Sequence, residues 1–388
     1  MPCPSPGEGA HPSSVDIALA LSTQKLDEDH STLKIPPTYI LTHTHAYIAP
    51  RILQHTTNNP TGTAGLGKST ILALLAHNPS HIYFSGRSHS SAKVLIETAA
   101  AAAASSSSSP SSKSSTPTTD TTTTTITATT TTATIQPPLT FVPLDQTSLP
   151  SIRAAIKQHF THTRLDILIN NAGIMAGAPS LSADGYEIQF ATNHLGHAML
   201  VRELLPVLQR TADGTLSSGD DGEPPADVRI VNLTSVGYQA HPSDGISFAT
   251  LKTTQAGPPV LGQWIRYGQS KLANILYTRE LARRHPKITT VAVHPGVVGT
   301  GLVTNQGRLN RLLVYLPNKL MGSPVLTPEQ GCWNQVWAAA AAKKTDLVNG
   351  GFYMPVGHLA DDKLDKTATD DELAGTLWRW TQDVLDGV

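Results

Sequence analysis

The sequence predicts an α/β fold, a doubly wound parallel sheet in a single domain. Short apolar runs alternate with helical patterns from about residue 60 to the end, the mark of βαβ units. The runs LDILI and ITTVAV are nearly all apolar, as strands covered on both faces are. Polar clusters close several of these runs, where open parallel sheets bind ligands.

Along the chain, residues 1–59 are rich in Pro, His and Thr, with brief apolar groups such as Tyr39, Ile40 and Leu41. They read as an irregular N-terminal extension. A glycine-rich turn leads into KSTILALLAH, a helix. HIYFSGRS is a strand, and SAKVLIETAAAA a helix running into an alanine tract. Residues from about 99 to 138 form an Ala/Ser/Thr-rich insertion. It buries too little apolar area to offset its ordering entropy and reads as disordered. LTFVPLD is a strand, SLPSIRAAIKQHF a helix, LDILINNAG a strand and GYEIQFATNHLGHAMLVRELLPVL one long helix. A polar, acidic loop follows near residues 211–227. VRIVNLTS is a strand, RYGQSKLANILYTRELARR a helix and ITTVAVHPG a strand. GGFYMPVG reads as the last strand and LAGTLWRWTQDVL as the closing helix.

Composition narrows the function. The 388 residues are 15% charged, with a net charge of −1, so no basic field recruits nucleic acid. No run of about 18 apolar residues is long enough to cross a membrane. Two cysteines, Cys3 and Cys332, cannot build a disulfide framework. The start, MPCPSPGEGAHPSS, has neither secretory nor transit character, so the expected location is the cytoplasm. The 16 histidines form no H-E-x-x-H and no Cys/His cluster, so no metal is expected.

Tyr267 and Lys271 lie four apart and share one helical face. An ammonium beside a phenol favours the phenolate and lowers its pKa. Such a phenol can exchange a proton with an alcohol or carbonyl. Ser235 closes the strand VRIVNLTS, where a hydroxyl can steady a developing oxyanion. Asn170, Asn171, Ala172 and Gly173 close LDILI, and His294 to Thr300 close ITTVAV. Each cluster alone could be an ordinary turn or a chance pair. Four at the ends of predicted parallel strands, or on the helices after them, argue for a site.

Taken together, NNAG (170–173), TNHLGH (192–197), Ser235, YGQSK (267–271) and HPGVVGT (294–300) resemble the short-chain dehydrogenase/reductase family. The resemblance runs from about Thr61 to the C-terminus and is similar in detail to fungal members akin to retinol dehydrogenases and the WW-domain oxidoreductase. It implies a Rossmann fold and reversible hydride transfer between a nicotinamide cofactor and a carbonyl/alcohol pair. It also implies that Tyr267 is the acid/base, that Lys271 lowers its pKa and holds the nicotinamide ribose, and that Ser235 orients the substrate oxygen. Asn193 would anchor a water that relays protons through Lys271. Thr300 would hold the carboxamide, Asp145 would sit near the adenine and Asn171 would line the cofactor channel. Gly62, Gly65, Leu66, Gly67, Ala172, Gly173, Pro295, Gly296 and Val298 would complete the cofactor site.

Arg87 closes the second strand. A carboxylate there takes the ribose 2′-hydroxyl of NAD, whereas an arginine accommodates the 2′-phosphate of NADP. No Asp or Glu lies between His81 and Lys93, which favours NADP(H). The apolar stretch LNRLLVYLPNKLM (309–321) reads as a lid over a hydrophobic carbonyl/alcohol substrate, and a homo-oligomer stays open.

The glycine loop departs from the family pattern T-G-x-x-x-G-x-G. Aligned on Gly65 and Gly67, Thr61 stands at the first glycine and Gly62 falls one place late. The upstream LQHTTNNP is polar, so no native first strand is expected before Thr61, as an altered splice junction would leave it. Two alternatives follow. One is a non-catalytic nucleotide-binding relative. The other is a P-loop nucleotidase, because Gly62, Gly67, Lys68 and Ser69 complete G-x-x-x-x-G-K-S, a reading that leaves Tyr267, Lys271 and Ser235 unexplained.

Overall fold

Parallel strands form the centre of the structure, and their order fixes where a ligand can sit. The computed structural model describes residues 51–55, 65–107, 137–214, 226–258, 261–300, 315 and 324–388. Its strands are β1 (Arg51–His55), β2 (His81–Gly86), β3 (Leu139–Pro143), β4 (Ile167–Asn170), β5 (Arg229–Leu233), β6 (Thr289–Val293), β7 (Phe352–Met354) and β8 (His358–Leu359). They form one sheet in the order β3-β2-β1-β4-β5-β6-β7-β8. Every neighbouring pair is parallel except β7 and β8. The order reverses between β1 and β4, which opens a crevice beyond their carboxyl ends.

The helices are α1 (Leu66–Leu75), α2 (His89–Ser107), α3 (Leu149–His159), α4 (Ile188–Phe190), α5 (Gly196–Asp213), α6 (Leu261–Arg284), α7 (Pro328–Gly331), α8 (Trp333–Val336) and α9 (Asp371–Asp386). They cover both faces, and the period-two alternation of the strands decides which side chain meets which layer. Ile167, Ile169, Val231, Leu233, Val291 and Val293 pack with Leu74 of α1 and Val336 of α8. Leu168, Ile230 and Ala292 point the other way, into the layer of α3, α5, α6 and α9. Local chemistry sets several helix ends. Ser148 caps α3 by accepting from the Ser151 amide, and Asp370 caps α9 by accepting from Glu372 and Leu373.

Several expectations need correction or extension. First, the stretch 1–59 is not irregular throughout. Residues 51–55 form β1, which pairs with both β2 and β4 at the middle of the sheet. Its ladder is non-local, so the polar residues of RILQH do not betray it. Second, the insertion expected to be disordered from about residue 99 begins as helix, because α2 runs to Ser107 and alanine is the strongest helix former. Residues 108–136 lie outside the described residues.

Third, the single long helix expected over GYEIQF to LLPVL is broken. The turn α4, capped by the Glu187 carboxylate on the Phe190 amide at 2.7 Å, leads into a π-helical turn at Ala191–Leu195 and only then into α5. A β-carbon at Gly196 would lie 2.6 Å from the Gln146 amide, so the backbone comes close to the end of β3 there. Fourth, the last strand turns back as a hairpin through Gly357, at φ 74°, to form β8. The acidic loop is helical up to Asp213, and residues 215–225 lie outside the described residues. No helix among the described residues is long and apolar enough to cross a membrane.

Candidate active site

Helix α6 and the end of β5 bring the polar groups together. Tyr267 and Lys271 sit one turn apart on α6, 6% and 5% exposed. Ser235 follows β5, opens a short turn at Val236–Ala240, and accepts from the Gly237 amide at 3.1 Å. Its hydroxyl hydrogen-bonds the Tyr267 phenol. Lys271 Nζ donates to the Leu233 carbonyl at 3.1 Å and lies 5.8 Å from the centre of the Tyr267 ring.

The net shift of the Tyr267 phenol runs upward, opposite to the lowering expected from Lys271. Burial dominates both groups and disfavours both charged forms. It pushes the phenol up to about 12, with the Ser235 hydrogen bond working against it. It pushes the ammonium down to about 8.

Asn193 lies in the π-helical turn, a feature that recurs at functional sites. Its Oδ1 accepts from the Ile174 amide at 2.8 Å. Its Nδ2 donates to the Ile174 carbonyl at 3.0 Å and to Ser270 Oγ at 2.8 Å. The side chain thus ties the loop after β4 to α6. The Asn193 carbonyl accepts from His197 Nδ1 at 2.9 Å.

Beside these groups runs a cradle. Gly65 precedes α1 at φ 77° with no side chain capping the helix, and a helix start of this kind can receive an anion. A β-carbon at Gly65 would lie 3.4 Å from Thr300 Cγ2, so the glycine turn and the segment after β6 approach each other. Leu66 and Val298 pack around Gly331, where a β-carbon would meet Val298 Cγ2 at 2.5 Å and Leu66 Cδ2 at 3.0 Å. Gly67 is buried in α1. Pro295 and Gly296 follow β6, and the Gly299 amide donates to Leu326 at 2.9 Å. After β4, Ala172 is buried and Asn171 Oδ1 is a buried acceptor with no partner among the described residues. A β-carbon at Gly173 would lie 3.3 Å from Asn193 Oδ1 and 3.5 Å from Lys271 Nζ. Arg87 is exposed at the end of β2. Asp145 follows the neighbouring β3, where its Oδ1 accepts from the Thr147 amide and hydroxyl at 2.9 and 2.8 Å. Gly62 lies outside the described residues.

An uncapped helix start, an orphaned acceptor and close backbone approaches fit an extended dinucleotide phosphate. The α1 amides and Gly65 would take the pyrophosphate, Arg87 and Asp145 would flank the adenosine end, and Asn171, Gly173 and Thr300 would flank the nicotinamide end. Over the phenol sits an apolar wall. Met175 and Ala176 pack on Tyr267, joined by Trp264 and Tyr315. The Trp264 ring stands edge-on to Tyr267 at 6.4 Å. Of the stretch read as a lid, only Tyr315 is among the described residues.

Several residues of the site escape the sequence reading. Gly237 lets the Tyr267 ring lie against the backbone, since a β-carbon there would stand 2.9 Å from Cε1. Gly331, Trp264, Gln189, Glu187 and Arg266 complete the walls. An arginine next to Tyr267 and the polar Glu187 and Gln189 within YEIQF are the only signals for this group.

Comparison with known proteins agrees with this geometry. A family profile described as short chain dehydrogenase matches residues 115–218. The short-chain dehydrogenase/reductase drtF of Aspergillus calidoustus is 35% identical over 255 residues, 63% of this chain and 76% of the relative. Retinol dehydrogenase 14 of Homo sapiens is 34% identical over 241 residues, 61% of this chain and 63% of the relative. Two solved structures share the fold. A protein from Mycobacterium paratuberculosis has TM-score 0.57 at 22% identity, covering 87% of this chain and 96% of its own. A short-chain dehydrogenase/reductase from Serratia marcescens has TM-score 0.51 at 17% identity, covering 81% and 98%. The chain therefore belongs to the short-chain dehydrogenase/reductase family, nicotinamide-dependent oxidoreductases acting on alcohol and carbonyl groups.

Proposed function

We propose that the protein interconverts a hydrophobic carbonyl compound and its alcohol with NADP(H), using Tyr267 as acid/base. The observation that carries this reading is the half-buried Ser235 beside the buried Tyr267 and Lys271, placed between the cradle and the apolar wall. The nicotinamide, when bound, supplies or takes up the hydride. The protein's own groups handle the oxygen. Ser235 orients it, and the Tyr267 phenol gives its proton to it during reduction. Lys271 holds a positive charge toward the phenolate that results. Asn193 keeps the loop after β4 against α6. The wall of Met175, Ala176, Trp264 and Tyr315 keeps water from the reacting atoms and favours apolar substrates.

Two measurements test the parts of this proposal. Lys271 loses its proton as pH rises through about 8, and the phenolate then loses its stabilising charge. Reductive kcat/KM, which reports groups of the free enzyme, is therefore expected to fall above about pH 8, and Lys271→Met to remove that limb. An unchanged rate from pH 7 to pH 10 contradicts the role of Lys271. For the cofactor, NADPH is expected to bind more tightly than NADH. Arg87→Ala should remove a charge-assisted contact of about 1.5–3 kcal/mol, weakening NADPH about ten- to a hundredfold and sparing NADH. Equal or tighter binding of NADH by the wild type overturns the NADP assignment.

A further inference from the structure

The residue before Tyr267 does more than fill the core. Arg266 is 1% exposed. Its Nε lies 3.2 Å from Oε1 of Glu187, which is itself fully buried. One terminal nitrogen donates to the carbonyls of Gln255 and Ala256 at 2.9 and 3.1 Å, and the other donates to Gly177 at 3.0 Å. One guanidinium thus joins α6, the head of α4, the loop after β4 and the segment at Gln255 and Ala256. A planar fork of five donors can do this, and the compact ammonium of a lysine cannot.

The loop it holds is the one that faces Tyr267. Ala176 has φ 52°, in the left-handed region, which side chains with a β-carbon rarely adopt. Such a backbone persists only where its surroundings over-determine it. Here they do. Asn193 holds Ile174, the buried Gln189 accepts from the Ala176 amide at 3.0 Å, and Arg266 holds Gly177. Gln189 also donates to the Gln263 carbonyl at 3.0 Å, three residues before Arg266. A cavity of about 280 Å³, lined in part by Thr250, Gln255, Gly262 and Ile265, borders Arg266. The segment at 255–258 has space to move into once the clamp is cut.

We propose that Arg266, braced by Glu187, is a positioning residue that fixes Met175 and Ala176 over Tyr267 and so sets which hydrophobic carbonyl compounds the pocket accepts. The inference rests on the proposed carbonyl chemistry of that site. Its physical core, the clamp on the loop, stands apart from turnover.

The test uses the full chain with NADPH and two carbonyl probes, propanal and decanal. Arg266→Lys is expected to raise KM for decanal about tenfold more than KM for propanal, the scale of a mis-shaped apolar pocket. Affinity for NADPH should stay within about threefold, since Arg266 bonds Gln255, Ala256, Gly177 and Glu187 and no residue of the cradle. A parallel loss for both probes overturns the proposal. Hydrogen exchange gives a readout independent of activity. The peptide covering 174–177 should exchange at least about tenfold faster in Arg266→Lys, with α1 unchanged, and unchanged exchange at 174–177 also overturns the clamp. If Arg266→Lys does not fold, Gln189→Met, which cuts the tie to Ala176, carries the same two expectations and the same overturning results. Failure of the wild type to reduce either aldehyde counts against the proposed function, while exchange still decides the clamp.

Discussion

Tyr267→Phe is expected to lower kcat by about a thousandfold, within the range that a positioned acid/base contributes, while NADPH affinity stays within about threefold of wild type. The substitution keeps the ring, which packs against Met175, Ala176 and Trp264, and removes only the hydroxyl. That hydroxyl is the group bonded to Ser235 and the one placed to hand over a proton. Because burial holds the phenol near pKa 12, the proton is present throughout the working pH range and awaits an acceptor. Stopped-flow reduction of decanal, together with a fluorescence titration of NADPH, checks both halves. Turnover within tenfold of wild type, with the protein folded, would show that another group supplies the proton.

Glu187→Ala is expected to destabilise the fold by about 3–5 kcal/mol, the usual cost of stripping one partner from a buried ion pair. The carboxylate is fully buried and faces Arg266 at 3.2 Å. It also caps α4 by accepting from the Phe190 amide at 2.7 Å. Burial pushes its pKa up, and the amides of Phe190 and Gln189, then the Arg266 guanidinium, pull it back down. Loss of the carboxylate leaves the guanidinium buried with carbonyl partners alone. Glu187→Gln keeps an acceptor at only one of the two places, its amide nitrogen facing the other, and is expected to cost less than Glu187→Ala. Urea unfolding of the three proteins measures the difference. A Glu187→Ala midpoint equal to that of wild type contradicts the account of this pair.

The groups proposed to carry the chemistry stand out in the sequence because their spacing is local. Tyr267 and Lys271 share a helical face, and Ser235, Asn171 and Thr300 follow apolar runs that can only be buried strands. What escaped is non-local. The strand β1 owes its existence to ladders with β2 and β4, and Ile52 and Leu53 alone do not announce it. Arg266 finds its carbonyl partner Gly177 at a separation of 89 residues, and Gln189 reaches Gln263 across 74. The π-helical turn that carries Asn193 is invisible to a 3.6-residue periodicity, since it is stabilised by what Asn193 and Gly196 meet outside the helix. The phenol's pKa ran opposite to the pairwise argument because sequence spacing shows a neighbouring charge and not the burial that outweighs it.

The central claim is that NADPH reduces a hydrophobic carbonyl compound at the Tyr267 site. The most direct measurement incubates the protein with decanal and NADPH deuterated at the transferable nicotinamide position, with product analysis by mass spectrometry. Decanol carrying a single deuterium on the carbinol carbon is expected from the wild type and not from Tyr267→Phe. Decanol free of deuterium, or labelled equally in the two proteins, would contradict the claim.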